Sequence, residues 1–402
     1  MISSPDVHVF WEGSQFVIHS YALLNREHCW NLARSGAARL TLVGREPDQF
    51  DSSQDPRFRE LSALDIRSKG IPSNEIRNCR NLWVTNYWPP VIKKVPPRAL
   101  WAAMSIWEYS HVPEKIVSVL SQASEVWTTS GFSRDAFVRS GLDPARIHIV
   151  PAGIRPEIYR PGGRVEDLLP TEKPFRFLFV GGTIPRKGVD LLLRAYERAF
   201  SPRDPVSLVI KDLGNQSLYQ GQTCAEILSS WNHRPGAPEV VYLDASHVWD
   251  EQQMADLYRS CDVFVSAYRG EGFSLPTLEA MGCGLPVIVT AGGPTDDFVD
   301  ESVGWRIPSE KQPIGRRIME LECSETAFQL EPEIDALARL LREAFESGDL
   351  RCKGERGVAR AHGQWTWDHA TVRLCERVDA LLPGHAAQRA RSVLLDGRSA
   401  LP

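Results

Sequence analysis

Arg269-Gly-Glu-Gly-Phe-Ser-Leu-Pro-Thr-Leu-Glu-Ala-Met-Gly-Cys-Gly-Leu-Pro-Val-Ile-Val289 sets two acids, Glu271 and Glu279, around the start of a helix. The apolar and β-branched run Cys261 to Ser266 before it reads as a buried strand, and Leu285 to Thr290 reads as another. Between them the pattern predicts a loop and then a helix beginning near Ser274 to Pro276. Pro276 suits the first helical position, where its missing N–H would be unpaired anyway, while Gly282 and Gly284 suit a C-terminal stop. The order strand, loop, helix, strand belongs to an α/β fold. Backbone N–H groups of Phe273, Ser274 and Leu275 would then face a ligand at the positive end of the helix dipole, a place that favours an anion such as a diphosphate. Glu279, about one turn further in, can accept two hydrogen bonds from a ribose diol. Glu271, beside Gly272 in the preceding loop, can reach sugar hydroxyls on the far side of the phosphates. Two glutamates at this spacing alone would read as exposed surface acids; the surrounding residues make the difference.

A second segment points to the same chemistry. Phe175 to Val180 reads as a strand, Gly181-Gly182-Thr183 as a tight turn, and Val189 to Phe200 as an amphipathic helix. Small residues let the backbone approach a ligand closely. Arg186 and Lys187, at the exit of the turn, bring a planar fork and a point charge, which together can neutralise a diphosphate. A solvated charge patch is the alternative for that pair.

The two segments, Gly-Glu-Gly-Phe-Ser-Leu-Pro-x-Leu-Glu-Ala-Met with the following Gly-x-Pro-Val-Ile and Phe-Val-Gly-Gly-Thr-Ile-Pro-Arg-Lys-Gly, resemble the family 4 glycosyltransferases and their Glu-x7-Glu motif. The likeness is strong from about residue 124 to 310 and looser before that. It implies the GT-B fold, an α/β architecture of two Rossmann-like domains facing each other across a cleft. It also implies transfer of a sugar from a nucleotide diphosphate sugar, such as a UDP- or GDP-sugar, to an acceptor hydroxyl with retention at the anomeric carbon. On this resemblance Glu271, Lys187 and Arg186 are the catalytic candidates, and Glu279, Gly181, Gly182, Gly272, Phe273, Ser274 and Leu275 bind the donor. Many members carry an arginine directly after the first glycine; Gly182 stands there, so Arg186 substitutes or Lys187 carries most of the load. No Asp-x-Asp pair is present, which agrees with metal-independent chemistry and no cofactor. A glycosidase would place both carboxylates on one scissile bond, whereas these two are expected to hold opposite ends of the donor.

The chain has 402 residues, 43% of them hydrophobic, which exceeds the usual size of one core and predicts two domains. The expected division is 1–163 for the acceptor, 164–365 for the donor, a terminal helix over 366–382 that packs back on the first domain, and a mobile tail over 383–402. Net charge −5 argues against nucleic acid as a partner. The eight cysteines, scattered with no Cys-x-x-Cys, read as reduced thiols, and no metal-ligand cluster is evident. With no signal-peptide pattern and no run of about 18 apolar residues, a cytoplasmic location is expected.

In the first half, Val7 to Trp11 reads as a strand, Gly13-Ser14 as a turn, Tyr21 to Ser35 as a helix and Ala38 to Val43 as the next strand. The resemblance makes Gly13 and Ser14 donor-phosphate or acceptor contacts across the cleft. Ser20 can cap the helix and His19 can face the ligand. Asn81 to Thr85 and Ala99 to Met104 are strand-like, and the loops at their carboxyl ends carry Trp88, Trp107 and Glu108. Glu108 stands near where some family members have a catalytic His and is the fourth catalytic candidate, an acid that can bind acceptor hydroxyls or an amine or equally sit half-exposed in a cap; Trp88 and Trp107 are candidates for stacking on an acceptor. Lys93-Lys94 offers a weak peripheral membrane contact, with a solvated face the preferred reading. Beyond the central motif, Val303 to Ile307 suggests the last strand, Glu333 to Ser347 a helix, and Gln364 to Leu382 the terminal helix. Two other classes fit the same residues: a nucleotide-sugar epimerase or hydrolase, and a non-catalytic sugar-nucleotide-binding subunit.

Overall fold

The computed structural model describes residues 7–17, 19–46, 57–66, 79–165, 168–214, 224–246 and 249–397. The chain divides into two compact units, one of Met1–Gly153, Arg316–Thr326 and Trp367–Pro402, the other of Ile154–Gly315 and Ala327–Thr366.

The first unit is built on a parallel sheet of β1 (Val7–Gly13), β2 (Arg39–Gly44), β3 (Arg80–Thr85), β4 (Ala99–Met104), β5 (Glu125–Thr128) and β6 (Ile147–Ile149), in the order β2-β1-β3-β4-β5-β6. Every residue of β1 is buried, as expected of a central parallel strand covered on both faces. The helix Ser20–Ser35 joins β1 to β2 and ends at Gly36, whose φ of 59° lies in the left-handed region. The expected cap is displaced by one residue. His19 has the extended backbone of a cap and its Nδ1 accepts the Ala22 N–H at 3.0 Å, while Ser20 is already helical. The terminal helix Trp367–Leu381 packs on Ser20–Ser35 within this unit, and its Val372, Cys375 and Val378 share a core with Val9, Trp11, Leu32 and Leu82. The tail departs from expectation. Residues 386–390 form a short helix whose first N–H groups, Ala386 and Ala387, donate to the Asp379 carboxylate at 2.9 Å each, and Ala386 and Ala390 are buried. Residues 398–402 of that tail lie outside the described residues.

The second unit repeats the architecture with β7 (Phe175–Gly181), β8 (Val206–Asp212), β9 (Val240–Leu243), β10 (Val263–Ser266), β11 (Val287–Thr290) and β12 (Gly304–Ile307), in the order β12-β11-β10-β7-β8-β9. All neighbouring pairs are parallel. The strand order reverses between β7 and β10, and in the first sheet between β1 and β3. Ligands of open α/β sheets bind outside the carboxyl ends of strands at such reversals.

A hairpin and a long helix are among the elements that the sequence reading did not name. Ser309–Ile318 and Leu321–Pro332 pair only with each other, in a hairpin whose two-residue turn, Met319-Glu320, has φ of 49° and 61°. Such turns favour Asn-Gly or Gly-Gly, so Met-Glu gives no turn signal, and Pro313 and Gly315 argue against a strand. The helix Leu350–Gln364 contains Gly354, Gly357 and Gly363, which weaken a helical pattern. Gly354 serves packing: a Cβ there would overlap the carbonyl oxygen of Gly284.

Candidate active site at the carboxyl end of the second sheet

Two loops meet where β7 and β10 lie side by side. After β7 the chain turns through Gly181-Gly182-Thr183 and the single 3-10 turn Pro185–Lys187 into the helix Val189–Ala199. After β10 it runs from Ala267 to Ser274. Gly188, at φ 70°, lets the loops touch, since any Cβ would overlap the Ala267 carbonyl oxygen. The Arg186 carbonyl accepts the N–H groups of Arg269 at 2.8 Å and Gly270 at 3.3 Å, joining the loops through the main chain.

That junction brings together three of the four residues read as catalytic; Glu108, in the first unit, is not among them. The Lys187 ammonium pairs with the Glu271 carboxylate. Arg186 Nη1 lies 3.8 Å from the same oxygen and donates to the Gly270 carbonyl at 2.7 Å. Burial pushes the Glu271 carboxyl up, but the charges of Lys187 and Arg186 and the Gly272 N–H outweigh it, so the group sits below its ordinary range and is ionised at neutral pH. Two cations thus converge on one carboxylate.

The helix after this loop spans Leu275–Gly282 and holds Pro276 in its first turn, at the second position rather than the first. Ser274 precedes it with φ 72°, and its hydroxyl pairs with Thr277 Oγ1 at 2.7 Å, so no side chain caps the helix start. Phe273 and Ser274 are buried, and Leu275 is half-buried. Gly181 and Gly182 lie across from them at the end of β7, where Thr183 donates to Asp212 at 2.9 Å. Glu279 is half-buried on the helix and accepts the phenol hydrogens of Tyr258, at 2.7 Å, and Tyr159. Burial pushes its carboxyl up to about 7 although both phenols pull it down. Neither tyrosine was legible as a site residue, since both stand outside the motif and nothing in their own segments points to Glu279.

The first unit's candidates are more scattered. Gly13 ends β1, and the Ser14 hydroxyl donates to the Arg45 carbonyl at 2.8 Å while its own carbonyl accepts from Asn25 at 2.8 Å. His19 is exposed and occupied with capping. Trp88 is half-buried and tilts against Trp107 with ring centroids 5.8 Å apart. Trp107 offers no stacking face: it is 1% exposed, and its indole N–H donates to the His111 carbonyl at 2.6 Å. That packing places it in the core, contrary to the sequence reading. Glu108 is half-buried.

A cluster at the β1/β3 reversal was not foreseen. Buried Glu12 accepts from Arg45 Nε at 2.9 Å, Lys93 Nζ at 2.6 Å and Trp83 Nε1 at 2.7 Å. Arg45 lies 3.9 Å over the Tyr87 ring and Lys93 4.3 Å over that of Trp83. Lys93 is therefore tied inward, and of the Lys93-Lys94 pair only Lys94 is the solvated charge that the sequence suggested. The acid ending an otherwise apolar strand was the available signal.

Among the described residues no group of three or more His, Cys, Asp or Glu could hold a metal ion, and no helix is long and apolar enough to cross a membrane. All eight cysteines are free.

Comparison with known proteins bears on this site directly. Residues 174–321, which contain β7 to β12, match the family model described as glycosyl transferases group 1. D-inositol 3-phosphate glycosyltransferase 1 of Catenulispora acidiphila is 30% identical over 310 residues, covering 72% of this chain and 70% of the relative. D-inositol 3-phosphate glycosyltransferase of Segniliparus rotundus is 26% identical over 297 residues, 70% of this chain; the match spans 59% of that relative, less than two thirds of its length. The crystal structure of Anabaena Alr3699/HepE in complex with UDP aligns at a TM-score of 0.63 over 92% of this chain and 99% of its own, at 14% identity. That likeness is one of fold, two parallel six-stranded sheets of the GT-B type. By sequence match across both units and by the family model over the second sheet, this chain belongs to the group 1 glycosyl transferase family.

Proposed function

We propose that the chain is a retaining glycosyltransferase of the Glu-x7-Glu type, which moves a sugar from a nucleoside diphosphate sugar to an acceptor hydroxyl without a metal ion. One observation carries the reading: Lys187 and Arg186 converge on Glu271 at a strand-order reversal, beside a helix start that no side chain caps.

The chemistry follows from charge. As the bond between sugar and diphosphate breaks, negative charge grows on the leaving oxygens, and two cations with a helix N-terminus already aimed at that place stabilise it without reorganising. The arriving diphosphate competes with Glu271 for Lys187. Released from its partner, Glu271 can accept hydrogen bonds from the sugar hydroxyls, while Glu279 takes the ribose diol. The acceptor hydroxyl then attacks from the face the diphosphate leaves, giving its proton to a donor phosphate oxygen. The Anabaena structure was solved with UDP, which puts UDP-sugars first in a donor panel. The relatives are named for D-inositol 3-phosphate, which puts phosphorylated polyols first among acceptors.

The test is product analysis after incubation with UDP- and GDP-sugars and an acceptor panel, with and without EDTA. A glycoside of retained configuration formed equally in EDTA supports the proposal. Altered or hydrolysed donor with no glycoside would replace it with the epimerase or hydrolase reading, and binding without turnover would leave a sugar-nucleotide-binding subunit.

A further inference from the structure

Arg269, two residues before Glu271, has no role in the chemistry above, yet it is among the most heavily bonded side chains of the second unit. Its guanidinium is 12% exposed. Nη1 and Nη2 donate to the two carboxylate oxygens of Asp190 at 2.8 Å each, a bidentate pair with the first turn of the helix Val189–Ala199. Nε and Nη2 donate to Glu331 on the hairpin at 2.6 and 3.2 Å, and Nη1 also reaches the Pro185 carbonyl at 2.7 Å. The main chain repeats the pattern: Arg269 N–H donates to Arg186, and its carbonyl accepts the Leu330 N–H at 2.8 Å. One residue thus fastens three segments: the turn carrying Arg186 and Lys187, the loop carrying Glu271, and the return strand of the hairpin.

We propose that Arg269 is a positioning residue that holds Glu271 opposite Lys187 and Arg186, with Asp190 and Glu331 as the two anchors of the clamp. Only a guanidinium serves here. Its planar fork meets two carboxylates on separate edges at once, whereas an ammonium at the same place has no fixed fork and can satisfy one acid well. The two acids leave Arg269 neutralised, so it adds little field at the diphosphate, and its contribution is geometric. A displacement of about 1 Å in a group that must meet a transition state costs on the order of a hundredfold in rate.

The inference rests on the proposed role of Glu271, and a double-mutant cycle separates the two. Arg269→Gln is expected to lower kcat about thirtyfold with donor KM changed less than about threefold, the pattern of a contact made mainly in the transition state. Arg269→Lys should recover part of that loss. In a Glu271→Ala background, Arg269→Gln should cost less than about threefold more, because the group it positions is gone. Turnover is scored per site that binds donor, so a smaller folded fraction does not count as a slower enzyme. Full effects of Arg269→Gln in both backgrounds would overturn the positioning role and leave that of Glu271 intact. Normal turnover of Glu271→Ala would instead remove the functional reading beneath it.

Discussion

Each sheet places a carboxylate between one arginine and one lysine at its strand-order reversal, and the two clusters share a charge inventory while differing in what they leave open. Glu12 in the first unit receives Arg45, Lys93 and the Trp83 indole, and both cations are further held over aromatic rings. Glu271 in the second receives Lys187 and Arg186 from a tight turn. The first arrangement spends its cations on fixing a buried acid. The second holds them on a turn beside a helix start, where a diphosphate can take the acid's place. On the proposed reading, equal charges serve stability in one unit and ligand exchange in the other.

The sharpest way to break that comparison is to remove each acid. Glu271→Ala should reduce transfer by at least about a hundredfold, read as product formed per minute at saturating donor. Its urea midpoint should fall as well, because Lys187 and Arg186, with side chains only 19% and 10% exposed, lose their acid. Equal turnover in mutant and parent would dismiss Glu271 from the mechanism. Glu12→Gln should leave transfer intact and lower unfolding free energy by about 2 kcal/mol, since the amide keeps one accepting oxygen for three donors and no charge for the two cations. A loss of activity with no change in the urea midpoint would make the first cluster a ligand site as well.

A smaller effect distinguishes the two acids of the motif. Glu279, with its carboxyl at about 7 in the folded protein against an ordinary 4.5, holds its proton more tightly folded than unfolded. Its contribution to stability is therefore fully present below the unfolded value and is lost as pH rises through about 7. Ribose recognition runs the other way, because the ionised carboxylate is the better acceptor for a diol. Donor KM is expected to fall severalfold between about pH 6 and about pH 8, with that step absent in Glu279→Gln. A pH-independent donor KM in the parent protein would place the ribose elsewhere.

The contrast also explains what the sequence could disclose. The second site was legible because its parts lie in two short segments whose spacing is set by strand, turn and helix: Glu271 and Glu279 in one, Arg186 and Lys187 in the other. Much of the parallel sheets was legible for a similar reason, since buried strands such as β10 and β11 are nearly continuous apolar runs. The first cluster draws Glu12 from β1, Arg45 from the loop after β2, Trp83 from β3 and Lys93 from the loop that follows, and no local pattern links them. Trp107 shows the opposite failure. An indole in a loop at a strand end looks available until the carbonyl of His111 and the surrounding core claim it. The hairpin was hidden by a turn formed from residues that rarely adopt one, and the helix at Leu350–Gln364 by glycines kept for contact with a neighbour.

Ser274 carries one last consequence. A side chain other than glycine in the left-handed region costs about 1 kcal/mol, and here it introduces a helix start that no side chain closes. On the proposed reading, that strain lies in the segment that meets the diphosphate. Any nucleotide that settles there adds protection that grows with the logarithm of its concentration, so preparations stored with one should keep their shelf life longer than those purified clean.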